Sequence, residues 1–351
     1  MRIINHVFII FISITILSCK KISNRIDEKG DEYFNNNQFL ESIKYYKKAI
    51  LFNKTNIDAI HSLGRAFEEI NNFDTAILFY SQVLQIDSLY ALAYRSRGFA
   101  RYKLHDFENA IGDYLSSLKI DSQNATAYRN LGAIFKELCN YEKAREYYYK
   151  LLKIEPDYYG AIDDLAQIEF DLGNYDSSLI LCYKTIGHLD KGKDSPYGTL
   201  GLTYIATKQY DSAISVLNKA IFYKPDWSHY YNNRGYAYAY LDQREQAILD
   251  YNIAIKLDST DPSFYANRAD SKYFLSQFES AIKDYTKAIE LSELIDGYNN
   301  GIYFNNRAYA RRKIGDFDGY KKDKERAKSL GYPNNYKQFN NTESCFYKIN
   351  K

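Results

Sequence analysis

Proline is scarce in this chain, five in 351 residues, and methionine and tryptophan occur once each. With so few residues that break a helix, little interrupts long helical runs. No charge sign dominates either: Lys+Arg 46 against Asp+Glu 44 leaves a formal net charge of +2. The single-signed field that nonspecific nucleic-acid binding draws on is missing, so DNA or RNA is not an expected partner. The five histidines (His6, His61, His105, His188, His229) lie far apart, with no His-Glu-x-x-His pair, no Gly-x-Ser-x-Gly elbow and no phosphate-cradling glycine loop. Four cysteines (Cys19, Cys139, Cys182, Cys345) at irregular spacing form no CxxC pair and no disulfide framework. The densest acidic group, Asp163-Asp164 with Glu169 and Asp171, falls on one predicted helix. It lacks the alternating loop ligands and turn glycine of a calcium site, and reads as a solvated or partner-facing patch. These absences remove the usual signatures of catalysis, metal binding and cofactors, none of which is expected.

Aromatic residues are abundant: Tyr 37 and Phe 20, in a chain that is 46% hydrophobic. That is enough apolar material for a substantial core. One continuous apolar run, Val7–Leu17, follows Arg2 and ends Leu17-Ser18-Cys19-Lys20-Lys21. It is shorter than the roughly 20 residues a membrane-spanning helix needs and reads as a secretory signal over residues 1–18. Its close resembles the lipobox of bacterial lipoproteins. That resemblance implies lipidation at Cys19, a short tether over 19–22 and an exported protein anchored to a bacterial envelope membrane. Lys20-Lys21-Ile22 lacks an acidic cluster after the cysteine, which favours a periplasm-facing location.

Beyond the tether a fixed period governs the chain. Stepping by 34 from Gly30 gives Gly64, Gly98, Gly132 and Ala166; after one extra residue come Gly201, Gly235 and Ala269, and after a five-residue insertion Ala308. Twelve residues on, a second column reads Ser42, Ala76, Ala110, Ala144, Ser178, Ala213, Ala247, Ala281 and Tyr320. Four further on lies a column of Tyr46, Tyr80, Tyr114, Tyr148, Cys182, Leu217, Tyr251, Tyr285 and Lys324. Apolar spacings of three and four, as in Ala281-Ile282-Tyr285-Ala288-Ile289, place these columns on helix faces. Small residues mark where two helix axes approach, and aromatics fill the adjacent holes. Polar turns ahead of an aromatic, such as Asn71-Asn72-Phe73 and Gly315-Asp316-Phe317, separate the two helices of a unit; Asp121-Ser122, Glu155-Pro156, Lys224-Pro225 and Asp258-Ser259 separate units.

This pattern resembles the tetratricopeptide repeat, with a small residue at repeat position 8, Ala at 20 and 27, an aromatic at 24 and an occasional Pro at 32. The resemblance implies an all-α, right-handed superhelical solenoid of about nine helix-turn-helix units. They begin at Ser23, Ile57, Ala91, Ala125, Tyr159, Asp194, Ser228, Pro262 and Gly301. Units 1–5 are expected over 23–192 and units 6–9 over 194–334, with an insertion near 296–300 and a loose tail over 335–351. The fifth unit is degenerate (Ala166, Ser178, Cys182), and a hinge or local change of curvature is expected at the Gly187–Pro196 stretch after it, which contains the one-residue phase slip. In the ninth, the charged stretch Lys321–Lys328 suits a terminal cap.

Stacked units of this kind line a concave face with their first helices. Position 6 there holds Asn130, Asn233, Asn267 and Asn306, the last three in consecutive units, with Tyr236, Tyr240, Tyr273, Phe274 and Tyr309 nearby. An amide can donate to one backbone carbonyl and accept from one N–H, so such a column can hold an extended peptide; equally, each amide can satisfy a neighbouring backbone group. The column resembles the asparagine ladder of the superhelical region of O-linked N-acetylglucosamine transferase at Asn233, Asn267 and Asn306, without that enzyme's catalytic domain. A carboxylate clamp of the chaperone-binding kind is not matched, because its first-helix cations are missing. The function expected is a non-enzymatic, membrane-tethered scaffold that binds a protein or peptide in the concave groove. The alternative is a small-ligand receptor or enzyme with a pocket inside the superhelix.

Overall fold

The computed structural model describes residues 2–188, 195–295, 298 and 300–332. Among the described residues there are eighteen α-helices and no strand: α1 (Arg2–Asn35), α2 (Phe39–Phe52), α3 (Ile57–Glu69), α4 (Phe73–Ile86), α5 (Ala91–Lys103), α6 (Phe107–Ile120), α7 (Ala125–Glu137), α8 (Tyr141–Ile154), α9 (Tyr159–Asp171), α10 (Tyr175–Ile186), α11 (Ser195–Ala206), α12 (Tyr210–Tyr223), α13 (Ser228–Tyr240), α14 (Arg244–Leu257), α15 (Pro262–Phe274), α16 (Phe278–Ser292), α17 (Gly301–Lys313) and α18 (Phe317–Ser329). Successive helices pair as nine hairpins, the all-α solenoid that the 34-residue period predicts. The chain forms two compact units, Met1–Ala161 and Ile162–Lys351, divided inside α9. The expected tail over 335–351, Cys345 and the phase slip at 189–194 lie outside the described residues. No helix among the described residues is long and apolar enough to cross a membrane.

The helix starts follow from local chemistry. Side-chain oxygens of Asn56, Asn72, Asn124, Asn140, Asp261 and Asp316 each accept a hydrogen bond from a backbone N–H in the first turn of the following helix. Such caps hold donors that a helix leaves without an internal partner. The turn inside each hairpin is reversed by one residue of positive φ at repeat position 15: Asn37, Asn71, His105, Cys139, Gly173, Lys208, Asp242, Ser276 and Gly315. Seven of these carry a side chain in a backbone region that disfavours one by about 1–2 kcal/mol. Lys208, at φ 62°, has neither the short polar side chain that eases this strain nor a glycine's freedom. Lys208→Gly is expected to raise stability by about 0.5–1 kcal/mol, the relief of strain exceeding the added freedom of the unfolded chain. Urea denaturation measures it, and an unchanged or lower midpoint would show that the turn is not strained there.

Packing explains the small column. An ideal Cβ on Gly64 would stand 2.6 Å from Cε1 of Tyr80, one on Gly132 2.8 Å from Tyr148, one on Gly201 2.7 Å from Leu217 and one on Gly235 2.9 Å from Tyr251. Each glycine therefore makes room for the large residue sixteen positions later, and those side chains are fully buried. Where alanine replaces glycine, the partner changes with it in two units: Ala166 packs beside the smaller Cys182, and Ala308 stands in the unit whose column carries Lys324. Ala269 keeps Tyr285, so the neighbours there absorb one extra methyl. Burial raises the Cys182 thiol to about 12, with Asp163 adding to the shift, which keeps it protonated and inert.

A second periodic device is ionic. Arg97, Arg234, Arg268 and Arg307, all at position 7, make two-pronged pairs with Asp113, Asp250, Asp284 and Asp323, all at position 23, at 2.6–2.9 Å. The remaining guanidinium nitrogen donates to a side chain of the preceding hairpin: Ser81, Asn218, Asn252 and Thr286 respectively. One arginine thus ties its own two helices together and its hairpin to the one before it. These carboxylates are nearly buried, and the planar fork of arginine suits the bidentate geometry. The acidic group on α9 is likewise not all solvated as expected: Glu169 is buried and accepts from Asn174 Nδ2 at 2.7 Å.

Candidate functional site

In several units, position 6 of the first helix turns sideways to the neighbouring hairpin. Asn267 Nδ2 donates to Asn232 Oδ1 at 2.9 Å, and Asn306 Nδ2 donates to Asp270 Oδ1 at 3.2 Å. Thr199 Oγ1 donates to Gln167 Oε1 at 3.1 Å, and Ser96 Oγ lies 3.1 Å from His61 Nε2. In four places, then, the position-6 side chain bonds to position 5 or 9 of the preceding first helix, locking adjacent hairpins. Asn130, in the first compact unit, instead donates to the hydroxyl of Tyr114 at 2.9 Å. Asn233 is buried. Three of the four asparagines therefore commit an N–H to this protein's own side chains.

The tyrosines divide in a similar way. Tyr273 is a core residue, edge-on to Phe274 and to Phe278. Tyr309 packs on the same core, with Lys324 over its ring at 5.2 Å. Tyr236 and Tyr240 are placed differently: Tyr240 is exposed, stacks on Tyr210 at 4.9 Å between centroids, and accepts from the Tyr236 hydroxyl at 3.2 Å.

These two tyrosines and Asn267 line a small open cleft of about 110 Å³ among α13, α14 and α15, completed by Arg244, Asp270, Ser271 and Phe274. Asp270 is buried, accepting from the Tyr285 hydroxyl and from Asn306. Burial lifts its carboxyl to about 6, while those two hydrogen bonds and the Arg244 charge act in the opposite direction. Arg244 lies over the Phe274 ring at 4.3 Å.

Arg244, Asp270 and Ser271 are not among the residues that sequence reasoning selected. A signal for Arg244 was available, however. Repeat position 17 is Phe39, Phe73, Phe107, Tyr141, Tyr175, Tyr210, Phe278 and Phe317 in the other units, and arginine only in the seventh. Position 13 is aromatic only at Tyr240 and Phe274, and is Asn35, Glu69, Lys103, Glu137, Asp171, Ala206 and Lys313 elsewhere. Both departures from the repeat meet at this cleft.

Comparison with known proteins supports the architecture. A tetratricopeptide repeat from Parabacteroides merdae superposes with a TM-score of 0.55 at 18% identity, covering 70% of this chain and 95% of that one. Pseudomonas aeruginosa PilF gives 0.52 at 16% identity, covering 59% and 94%. The Cut9–Hcn1 hetero-tetramer of the APC/C gives 0.52 at 16% identity, covering 84% and 55%. No curated protein sequence matches the chain. The family profile for the tetratricopeptide repeat matches residues 27–56, 57–88, 125–158, 194–226, 228–261 and 262–293, more than half of the chain. With the hairpins, the glycine-aromatic columns and those matched segments in agreement, this chain belongs to the tetratricopeptide repeat family.

Proposed function

We propose that this protein is a membrane-tethered scaffold, lipid-modified at Cys19, that holds a segment of a partner protein against the face built by α13 and α15. Proteins of this repeat family bind protein or peptide partners. The observation that carries the site is the cleft lined by half-buried Tyr236 and exposed Tyr240 and Phe274, where aromatic rings adjoin polar groups, the composition that partner-binding patches favour. The alternative, a receptor or enzyme enclosing a small molecule, is less well supported. At about 110 Å³ the cleft is well below the roughly 300–1,000 Å³ of a typical small-molecule pocket, and suits one side chain or chain end of a larger partner. Cys19 is exposed on α1, as a modified residue needs to be.

Capture from detergent-solubilised membranes tests both halves. Partner proteins recovered with the intact chain are expected to be lost with Tyr240→Ala and Asn233→Ala together. Recovery unchanged by that pair would remove this face from the proposal. Fatty-acid labelling sensitive to globomycin is expected to vanish in Cys19→Ala, and label that persists there would refute the anchor.

A further inference from the structure

We infer that the cleft receives a carboxylate carried by the partner segment, with Arg244 as its receptor. This rests on the cleft being the partner-binding surface and adds the chemistry of what enters it. The repeat itself supplies the baseline. Eight of nine units place an aromatic ring at position 17; in the seventh unit a guanidinium takes that place and lies over the Phe274 ring at the cleft. Arg244 is therefore a change of chemistry at a structurally equivalent position, not a conserved packing residue of the repeat.

Its bonding also sets it apart from the other withdrawn arginines. The side chains of Arg234 and Arg268 are 18% and 17% exposed, and each holds an aspartate with both prongs at 2.6–2.8 Å. Arg244 is 18% exposed, yet its hydrogen bond among the described residues is a single one at 3.3 Å, from Nε to Asp242, whose side chain is 90% exposed. A guanidinium so far removed from water is costly without a full partner, and a carboxylate meeting its two Nη groups supplies one. A second observation comes from Ser271. Its hydroxyl lines the same cleft, is fully buried and has no hydrogen-bond partner among the described residues. It can donate to the same ligand. The neighbouring Asp270 carboxyl disfavours a second negative charge, and Tyr236, Tyr240 and Phe274 favour an apolar body. The occupant that fits is one carboxylate on an aromatic or aliphatic group. Arg244 stands on the second helix of its hairpin, away from the first-helix positions of a carboxylate clamp.

The test uses the full chain and two probes that differ only in charge, 3-phenylpropionate and 3-phenylpropionamide, followed by saturation-transfer NMR and calorimetry. The acid is expected to bind about tenfold more tightly than the amide, the scale of one charge-assisted hydrogen-bonded pair. Arg244→Phe restores the ring found in the other units. It is expected to keep the melting temperature and abolish the preference, whereas Arg244→Lys keeps part of it. N-acetyl-Gly-Phe with a free C-terminus, set against N-acetyl-Glu-Phe-amide, separates a chain-end carboxylate from a side-chain one. Equal affinity for acid and amide, a preference that survives Arg244→Phe, or no binding of either probe would each overturn the inference. If Tyr240→Ala with Asn233→Ala abolishes partner capture while acid and amide bind alike, the scaffold reading stands and the carboxylate falls. A carboxylate preference with no captured protein gives the reverse.

Discussion

Asp284→Ala is expected to lower the stability of the eighth hairpin by about 3–5 kcal/mol. Asp284 is buried and serves two cations, Arg268 at 2.7–2.8 Å and Lys272 at 2.7 Å. Removing it leaves both charges only 17% and 16% exposed, without their shared anion. The cost is therefore that of stranded charge, not of one lost contact. The two cases can be told apart. Arg268→Met, Lys272→Met and Asp284→Leu combined removes the charges together and is expected to lie within about 1–2 kcal/mol of the unaltered chain, because well-packed apolar replacements of a buried ion pair are commonly tolerated. Hydrogen exchange of α15 and α16 reads the local loss, and urea denaturation reads the global one. A single mutant as stable as the triple would show that water already solvates the pair.

Tyr80→Ala is expected to cost about 3–5 kcal/mol, since it empties a fully buried site. It also removes the hydroxyl that donates to Glu68 Oε2 at 3.0 Å, a carboxyl already raised chiefly by burial. Tyr80→Phe isolates that hydrogen bond and should cost about 1 kcal/mol. The partner of this site is Gly64, whose absent Cβ makes room for the ring. Gly64→Val alone collides with the ring and is expected to cost about 1–3 kcal/mol. Combined with Tyr80→Ala it fills part of the vacated space, so the double mutant should be more stable than the sum of the two changes. Strict additivity would mean the two residues do not share one packing site. Because stability in such arrays is set by each repeat and its neighbours, these losses are expected as an early local transition, not a uniform shift.

Much of the fold was readable from the chain because its packing is local and periodic. The 34-residue step, the glycine column and the aromatic column each express one contact that recurs from unit to unit, so residue spacing carries the same information as the helices. The helix ends at Ile120, Ile154, Tyr223 and Leu257 fall where the sequence places turns, since Asp, Pro and Ser change the backbone there regardless of what lies nearby. The position-7 arginine and position-23 aspartate also stand as a column in the chain, but only burial made them staples.

What the sequence could not decide was direction across the stack. Asn267 and Asn306 look alike along the chain, yet one donates to Asn232 and the other to Asp270, in each case on the preceding hairpin. A side chain's partner between hairpins depends on which helix faces it at about 3 Å, a distance that no spacing within one unit encodes. The same holds for Tyr273 and Tyr240: both were selected as groove aromatics, and packing put the first in the core and left the second exposed. The sequence by itself determined the family and the all-α repeat, because those follow from a period. The cleft of Arg244, Ser271 and Tyr240 was decided only in three dimensions, where two departures from the period, on successive helices, come to share one wall.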